Sequence, residues 1–411
     1  MTKKVWIFNH YAVTPDMGGG TRHYDLAEQM VKNGCEVTIF ASSFNHKKLI
    51  DILNKWELRR VTRINGIDFI WLKTVHYKDN GVARVLNMLS YAIMAFFAGL
   101  FKPSPDAIIA SSVHPLAWLT GYALSRIKRA RFIAEVRDLW PQTLIDMGAI
   151  SENGMPARML RGIERFIYKR ADKIITLLPG AYSYIEGMGV DASKIVYIPN
   201  GVNIERYDNA YASDDVAEEV RHILAEHEGR FKAVYLGAHG EVNSLEVIIN
   251  AAKILLDDGY KDIDILLVGD GPEKPRLIEY AHKVEANNVY FYPLISKEQV
   301  PYLLKGIDLC LVSLKDNAIY KYGISLNKMF DYLCAAKPIV FAGRAFNDIV
   351  AQAQAGISVP PEQPELLAQA IIKLYNISEQ QRREMGFNGR RYAEEYHDIA
   401  KLADQLMAML N

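Results

Sequence analysis

The residues best spaced for chemistry lie between Tyr322 and Val340. Tyr322-Gly323-Ile324-Ser325-Leu326-Asn327 reads as a glycine loop running into a helix start, Lys328 follows in the first turn, and Asp331 comes three residues later. A helix amino terminus offers unpaired backbone N–H groups and a partial positive charge, so such a loop suits an anion such as a phosphate. A lysine in the first turn opposes the helix dipole unless a ligand brings negative charge there. Asp331, on the same side of the helix, could accept hydrogen bonds from ligand hydroxyls. Phosphate beside vicinal hydroxyls describes a nucleotide. The competing account is an ordinary loop and helix with a solvated Lys–Asp pair.

Weaker signals of the same kind occur elsewhere. Gly18, Gly19 and Gly20 precede a helix and permit close backbone approach, though without the Gly-x-Gly-x-x-Gly spacing and acidic residue that a nicotinamide dinucleotide needs. Gly269-Asp270-Gly271-Pro272 ends a strand and opens a helix. His114, in Ser112-Val113-His114-Pro115, and the pair Arg137-Asp138 follow two successive strand ends, where clefts of parallel sheets collect ligand groups. Each has a structural alternative: a core histidine, and an Arg–Asp pair closed on itself. No metal-ligand cluster, Ser-His-Asp set or reactive-cysteine context can be assembled, so no metal is expected.

The elements that must position these residues alternate along the chain. Val5–Phe8, Val37–Ala41, Ile67–Leu72, Ala107–Ala110, Phe132–Glu135, Ile174–Leu177 and Ile195–Ile198 read as strands, with helices near 21–33, 84–100, 115–127, 156–171 and 181–187. The pattern stops at Pro199-Asn200-Gly201, and a charged stretch to Arg230 intervenes. A second alternation has strands at 233–236, 265–268, 289–292, 309–312, 339–341 and 357–359. Its helices fall near 244–257, 273–285, 297–305, 326–336, 347–354 and 363–375. Final helices at 379–395 and 398–410 are placed to brace the two halves. The predicted fold class is α/β: two tandem Rossmann-like domains with parallel sheets facing a central cleft.

Composition narrows the setting. A chain of 411 residues, half of them hydrophobic, exceeds one core. Three cysteines without paired spacing point to a reducing compartment. The zero net charge hides an asymmetry: residues 1–200 carry 26 Lys and Arg against 17 Asp and Glu, and residues 201–411 carry 22 against 31. A basic first half suits an anionic surface, and without an arginine-rich run interleaved with aromatics a membrane is favoured over nucleic acid. Arg158, Arg161, Arg165, Lys169 and Lys173 form one cationic stripe at helical spacing. Val85–Phe101 is apolar and near the lower length limit for a span, so it reads as a buried or membrane-touching helix. The opening Met1-Thr2-Lys3-Lys4 leads straight into a strand, so no cleavable signal is expected.

Taken jointly, Gly18-Gly19-Gly20-Thr21-Arg22-His23-Tyr24-Asp25-Leu26-Ala27, Asn33-Gly34-Cys35-Glu36-Val37, Asp138-Leu139-Trp140-Pro141, Ile198-Pro199-Asn200-Gly201-Val202-Asn203 and Gly269-Asp270-Gly271-Pro272 carry a resemblance. The chain resembles the retaining GT-B glycosyltransferases, the family of sucrose, mannosyl and lipopolysaccharide transferases. The opening motif and Asp-Leu-Trp-Pro look most like the bacterial O-antigen fucosamine transferases. The resemblance implies an acceptor domain over 1–200, a nucleotide-sugar domain over 201–390, and a helix over 391–411 packing back on the first domain. It implies a UDP-activated amino sugar such as UDP-N-acetyl-L-fucosamine, a polyprenyl-diphosphate-linked glycan acceptor, and a cytoplasmic enzyme peripheral on the inner face of the membrane. It needs neither metal nor nucleic acid.

On this reading His114, Arg137, Asp138 and Lys328 are catalytic. Gly18, Gly19, Gly20, Gly237, Gly269, Gly271, Leu294, Ser325, Leu326, Asn327, Lys328 and Asp331 bind the donor, with Lys328 on the phosphates and Asp331 on the ribose. Two departures stand out. The family commonly has two glutamates eight residues apart, where this chain has Gly323 and Asp331. It also often has an arginine and a lysine where this chain reads Gly237-Ala238-His239-Gly240-Glu241-Val242-Asn243. A sugar-nucleotide epimerase and a noncatalytic partner subunit of another transferase therefore stay open as alternatives.

Overall fold

The computed structural model describes residues 2–410 except 18, 46–48, 79–80, 113 and 214. The first domain contains β1 (Lys4–Phe8), α1 (Arg22–Lys32), β2 (Glu36–Ser42), β3 (Phe44–Asn45), β4 (Ile50–Asp51), β5 (Arg59–Ile64) and β6 (Ile67–Leu72). It continues through α2 (Val82–Leu100), β7 (Ala107–Ser111), α3 (Pro115–Lys128), β8 (Arg131–Val136), α4 (Gln142–Asp146), α5 (Met155–Arg170), β9 (Lys173–Thr176), α6 (Ala181–Glu186) and β10 (Ile195–Tyr197). Alternation within each strand dictates the layers. Val5 and Ile7 of β1 face one apolar cluster, shared with α1, while Trp6 and Phe8 face the other, shared with α2, α3 and α5.

The sheet order is β10-β9-β8-β7-β1-β2-β6-β5, parallel except where β5 pairs antiparallel with β6. β5 has no counterpart in the sequence reading. Its run Arg-Arg-Val-Thr-Arg-Ile is an edge strand with one solvated face, so it lacks the continuous apolar character of a buried strand.

The charged stretch after Pro199 is also more ordered than its composition indicates, folding as α7 (Ile204–Tyr211) and α8 (Glu218–Glu226). Each contributes a narrow apolar stripe, Tyr207 and Ala210 or Val220 and Ile223, to the second core.

The second domain has β11 (Phe231–Leu236), α9 (Leu245–Asp257), β12 (Ile263–Val268), α10 (Lys274–Lys283), β13 (Val289–Tyr292), α11 (Val300–Lys305), β14 (Leu309–Ser313) and α12 (Asn327–Cys334). β15 (Ile339–Ala342), α13 (Ile349–Gln352), β16 (Gly356–Val359) and α14 (Pro364–Asn376) complete it, followed by α15 (Glu379–Tyr396) and α16 (Ile399–Ala408). Its six strands are all parallel, in the order β13-β12-β11-β14-β15-β16. In both sheets strand order reverses beside the first strand, and at that switch point the loops diverge to leave a crevice.

α15 packs on α12, whereas α16 buries Ile399, Leu402, Ala403 and Leu406 in the α1 side of the first domain. The chain thus crosses between domains twice, and the crossings are joined. Val202 N donates to His397 O at 2.9 Å and Ile399 N to Val202 O at 3.1 Å. The return crossing falls at His397–Ile399, so residue 391 lies within α15.

Candidate active site

In the second domain two glycine turns make the floor of the crevice. Gly237 follows β11 with φ +135° and Gly269 follows β12 with φ +153°. A Cβ on Gly269 would lie 1.9 Å from Gly237 O, so only glycine lets the two turns touch. Gly271 is held likewise, 2.4 Å from His239 O.

Above this floor α12 delivers Lys328. Its Nζ donates to Tyr235 Oη at 2.5 Å and Asn243 Oδ1 at 3.3 Å, and sits 3.8 Å from the centroid of the Tyr235 ring. Gly237 leaves room for it, since a Cβ there would come 3.2 Å from Lys328 Cε. Burial, with no carboxylate partner among the described residues, pulls the Lys328 ammonium down to about 7. The result is a basic group held by neutral partners at the start of a helix, a position suited to an anion.

The residues that lead into α12 divide their tasks. Ser325 is engaged across the domains, because Asn200 N donates to its Oγ at 2.9 Å and Asn200 Nδ2 to its carbonyl at 2.7 Å. Leu326 caps the helix, and Asn327 comes up to the glycine loop of the first domain, where a Cβ on Gly20 would lie 2.9 Å from its Nδ2. Two motifs some three hundred residues apart therefore meet at one point.

Asp331 is paired with groups other than Lys328. It is buried, Lys297 Nζ reaches both its oxygens (2.6 and 2.5 Å), and Tyr207 Oη donates to Oδ1 at 2.9 Å. One turn of helix separates the two side chains in sequence, but their partners come from different elements and draw them apart. Leu294 stands half exposed just beyond the edge strand β13.

Gly323, where the resemblance calls for a glutamate, has φ +112°, and a Cβ would lie 2.7 Å from Pro179 Cδ and 2.8 Å from Asn347 Oδ1. The interdomain packing leaves no room for a side chain. Nearby, Gly180 N donates to Tyr322 O at 2.8 Å and locks this loop to the first domain.

In the first domain Gly18 lies outside the described residues. Gly19 (φ +114°) and Gly20 line a cavity of about 220 Å³ with His10, Tyr11, Trp71, Arg84 and Arg137. Beneath the glycine loop runs a buried network. Arg22 Nε donates to Glu135 Oε1 at 2.9 Å, and His23 Nε2 meets Glu135 Oε2 at 2.6 Å while its Nδ1 meets Asn9 Nδ2 at 2.7 Å. Burial alone would raise the Glu135 carboxyl, but His23 and Arg22 hold it well below its ordinary value; burial in turn lowers the His23 imidazole against the pull of Glu135. Arg22 also donates to the carbonyls of Ile198 and Pro199, so the network ties the glycine loop to the crossing.

His114 does not line the cavity. It is buried at the start of α3, its Nε2 2.8 Å from His10 Nδ1, and His10 is the imidazole that reaches the cavity wall, stacked between Tyr11 and Tyr91. Burial, then the Arg84 charge, push His114 down to about 3, so it acts as a neutral partner that orients His10. Arg137 lines the cavity, with its N–H held by Ser112 Oγ at 3.1 Å. Asp138 is exposed beside Arg137, just past the end of β8. No ion pair joins Arg137 to Asp138 among the described residues.

Lys173 is not on the helical stripe with Arg158, Arg161, Arg165 and Lys169. It begins β9, since α5 ends at Arg170.

Sequence reasoning passed over His10, Tyr235, His239 and Arg84. His239 is buried beside the two glycine turns, and burial, then Lys274, lower it to about 4. Its place just past a strand-ending glycine is the signal that could have singled it out. Among the described residues no group of three or more His, Cys, Asp and Glu is arranged to hold a metal ion.

Comparison with known proteins supports the same division of the chain. Residues 17–201 match the model described as "Glycosyl transferase 4-like domain", and residues 216–392 match "Glycosyl transferases group 1". The Escherichia coli K12 chain assigned as colanic acid biosynthesis glycosyl transferase WcaI is 24% identical over 370 residues, covering 87% of this chain and 89% of its own. Among solved structures, sucrose-phosphate synthase from Thermosynechococcus elongatus superposes with a TM-score of 0.75 at 16% identity, covering 99% of this chain and 98% of that one. HepE of Anabaena, in complex with UDP-glucose, gives 0.68 at 14% identity and 99% of both chains. At such identities these two show the fold alone. With the two family models spanning nearly its whole length, the chain belongs to the GT-B glycosyltransferases.

Proposed function

We propose that this enzyme transfers an N-acetylated amino sugar, such as N-acetyl-L-fucosamine, from its UDP-activated form to a lipid-linked oligosaccharide, with retention of anomeric configuration. The observation that carries the reading is Lys328: a basic side chain with no carboxylate partner among the described residues, at the start of α12, over the touching turns of Gly237 and Gly269. A diphosphate fits that position. Lys328 and the first-turn N–H groups of Leu326, Asn327 and Lys328 would receive it, with Leu294 toward the base. HepE, a neighbour in fold, binds UDP-glucose in its crystals, which supports a uridine donor. The acceptor enters the first-domain cavity, between Arg137 and His10, and the naming of WcaI for colanic acid biosynthesis supports a glycan acceptor.

In the reaction the bond from the anomeric carbon to the diphosphate oxygen breaks, and the acceptor hydroxyl oxygen bonds to the same face. The hydroxyl proton passes to the departing diphosphate. Lys328 stabilises the charge that develops on that leaving group, which makes added metal unnecessary. With Gly323 closed to a side chain, Asp138, at the same strand end as Arg137, is the charged group we place toward the donor sugar.

The test is a panel of sugar nucleotides scored by thermal shift and by transfer to a lipid-linked acceptor, with product configuration read by NMR. UDP and a UDP-N-acetylamino sugar should stabilise the protein, by about 2.7 kcal/mol at a hundred times Kd. Transfer should persist in EDTA. Absence of a shift with every UDP- and GDP-sugar would overturn the assignment.

A further inference from the structure

One surface of the first domain has no part in this chemistry. α2 is apolar on both sides, and the sides have different fates. Asn87, Tyr91, Ala95 and Ala98 are buried, with Tyr91 Oη donating to Phe40 O at 2.8 Å and Asn87 Nδ2 to Val75 O at 2.6 Å. Val82, Val85, Leu89, Ile93, Phe97 and Phe101 recur every three or four residues on the outer side, and Val82 and Phe101 are 77% and 79% exposed. A stripe of that length exceeds the scattered apolar residues of an ordinary surface. α2 is long and apolar enough to cross a bilayer, but its inner side is committed to the core.

α2 packs on α3 and α3 on α5, so the three helices form one layer on that face of the sheet. Together they carry eight arginine and lysine residues against a single carboxylate, Glu164, which is buried. On α5 exposed Met155 and Met159 alternate with Arg158 and Arg165.

We propose that the α2–α3–α5 face docks on an anionic phospholipid bilayer, with the outer stripe of α2 lying in the interface and the cations of α3 and α5 on the headgroups. Charge selects this occupant. A second copy of the chain would bring two basic faces together, whereas anionic headgroups neutralise them. Arg84, near the amino end of α2, lines the first-domain cavity with Arg137, so a docked α2 sets that cavity beside the bilayer. This last orientation rests on the lipid-linked acceptor proposed above; the docking face does not.

The experiment is co-sedimentation of the full-length protein with vesicles of phosphatidylglycerol in phosphatidylethanolamine, and with vesicles of phosphatidylcholine alone. Binding should be about tenfold or more weaker to the neutral vesicles and should fall with salt. Leu89→Glu with Phe97→Glu should abolish it, and Arg158→Glu with Arg165→Glu should weaken it, while both keep the wild-type melting temperature and thermal shift with UDP. Phe101→Asp, at the exposed helix end, serves where the double variant fails to fold. Equal binding to both vesicles, no effect of the variants, or a wild-type dimer that the α2 variant makes monomeric would overturn the proposal. Normal vesicle binding with no transfer activity would count against the transferase reading alone.

Discussion

Lys328 offers the sharpest test. Lowering its ammonium from an ordinary 10.5 to about 7 means that charging it in the empty cleft is disfavoured by about 5 kcal/mol, at about 1.4 kcal/mol per pKa unit. The lysine is thus mostly neutral in the free enzyme above pH 7 and must take up a proton when a diphosphate arrives. At pH 8 donor binding should absorb about one proton, and Kd should rise by up to about tenfold per pH unit above that point. At pH 6 neither effect should appear. The sign for stability is opposite: the buried charge penalises the fold fully below pH 7, and the penalty fades as pH rises toward 10.5.

Calorimetry at pH 8 in buffers of different ionisation enthalpy measures the uptake directly. Lys328→Met should remove it and lower kcat/KM by about 1.5–3 kcal/mol equivalent, the range for a charged hydrogen bond. A Lys328→Met enzyme within twofold of wild type, or proton uptake that survives the substitution, would refute the reasoning.

Three further outcomes are expected. Asp331→Asn leaves Lys297 without its carboxylate partner, so the urea midpoint should fall with a loss of about 3 kcal/mol while donor KM changes little; a large KM rise at unchanged stability would instead return Asp331 to the ribose. Gly269→Ala should cost more than about 3 kcal/mol because its Cβ meets Gly237 O, whereas Gly34→Ala, at φ +85° with nothing within 4 Å, should cost about 1 kcal/mol in the same denaturation series. Arg137→Ala should raise acceptor KM about tenfold with the thermal shift by UDP unchanged, and a weakened UDP shift would place Arg137 on the donor instead.

What could be read from the chain was local. Alternating residues such as Val5, Trp6, Ile7 and Phe8 identify strands buried on both faces. The run from Gly323 to Lys328 declares a loop, a helix start and a cation against the dipole, whatever surrounds it. Elements with one solvated face were harder: β5 alternates arginine with apolar residues, and α7 and α8 carry only narrow apolar stripes. Their signal is diluted by the polar residues that meet water.

Sequence by itself determined the two tandem α/β halves, the glycine turns at strand ends and the position of Lys328, because strand periodicity, positive-φ turns and helix dipoles act within a few residues. Tertiary structure alone decided which charges are free to work. It paired Asp331 with Lys297, set His114 behind His10 from a hundred residues away, closed Gly323 against Pro179 and turned half of α2 outward. Those outcomes depend on which distant elements the sheets bring together, and no short-range preference encodes them.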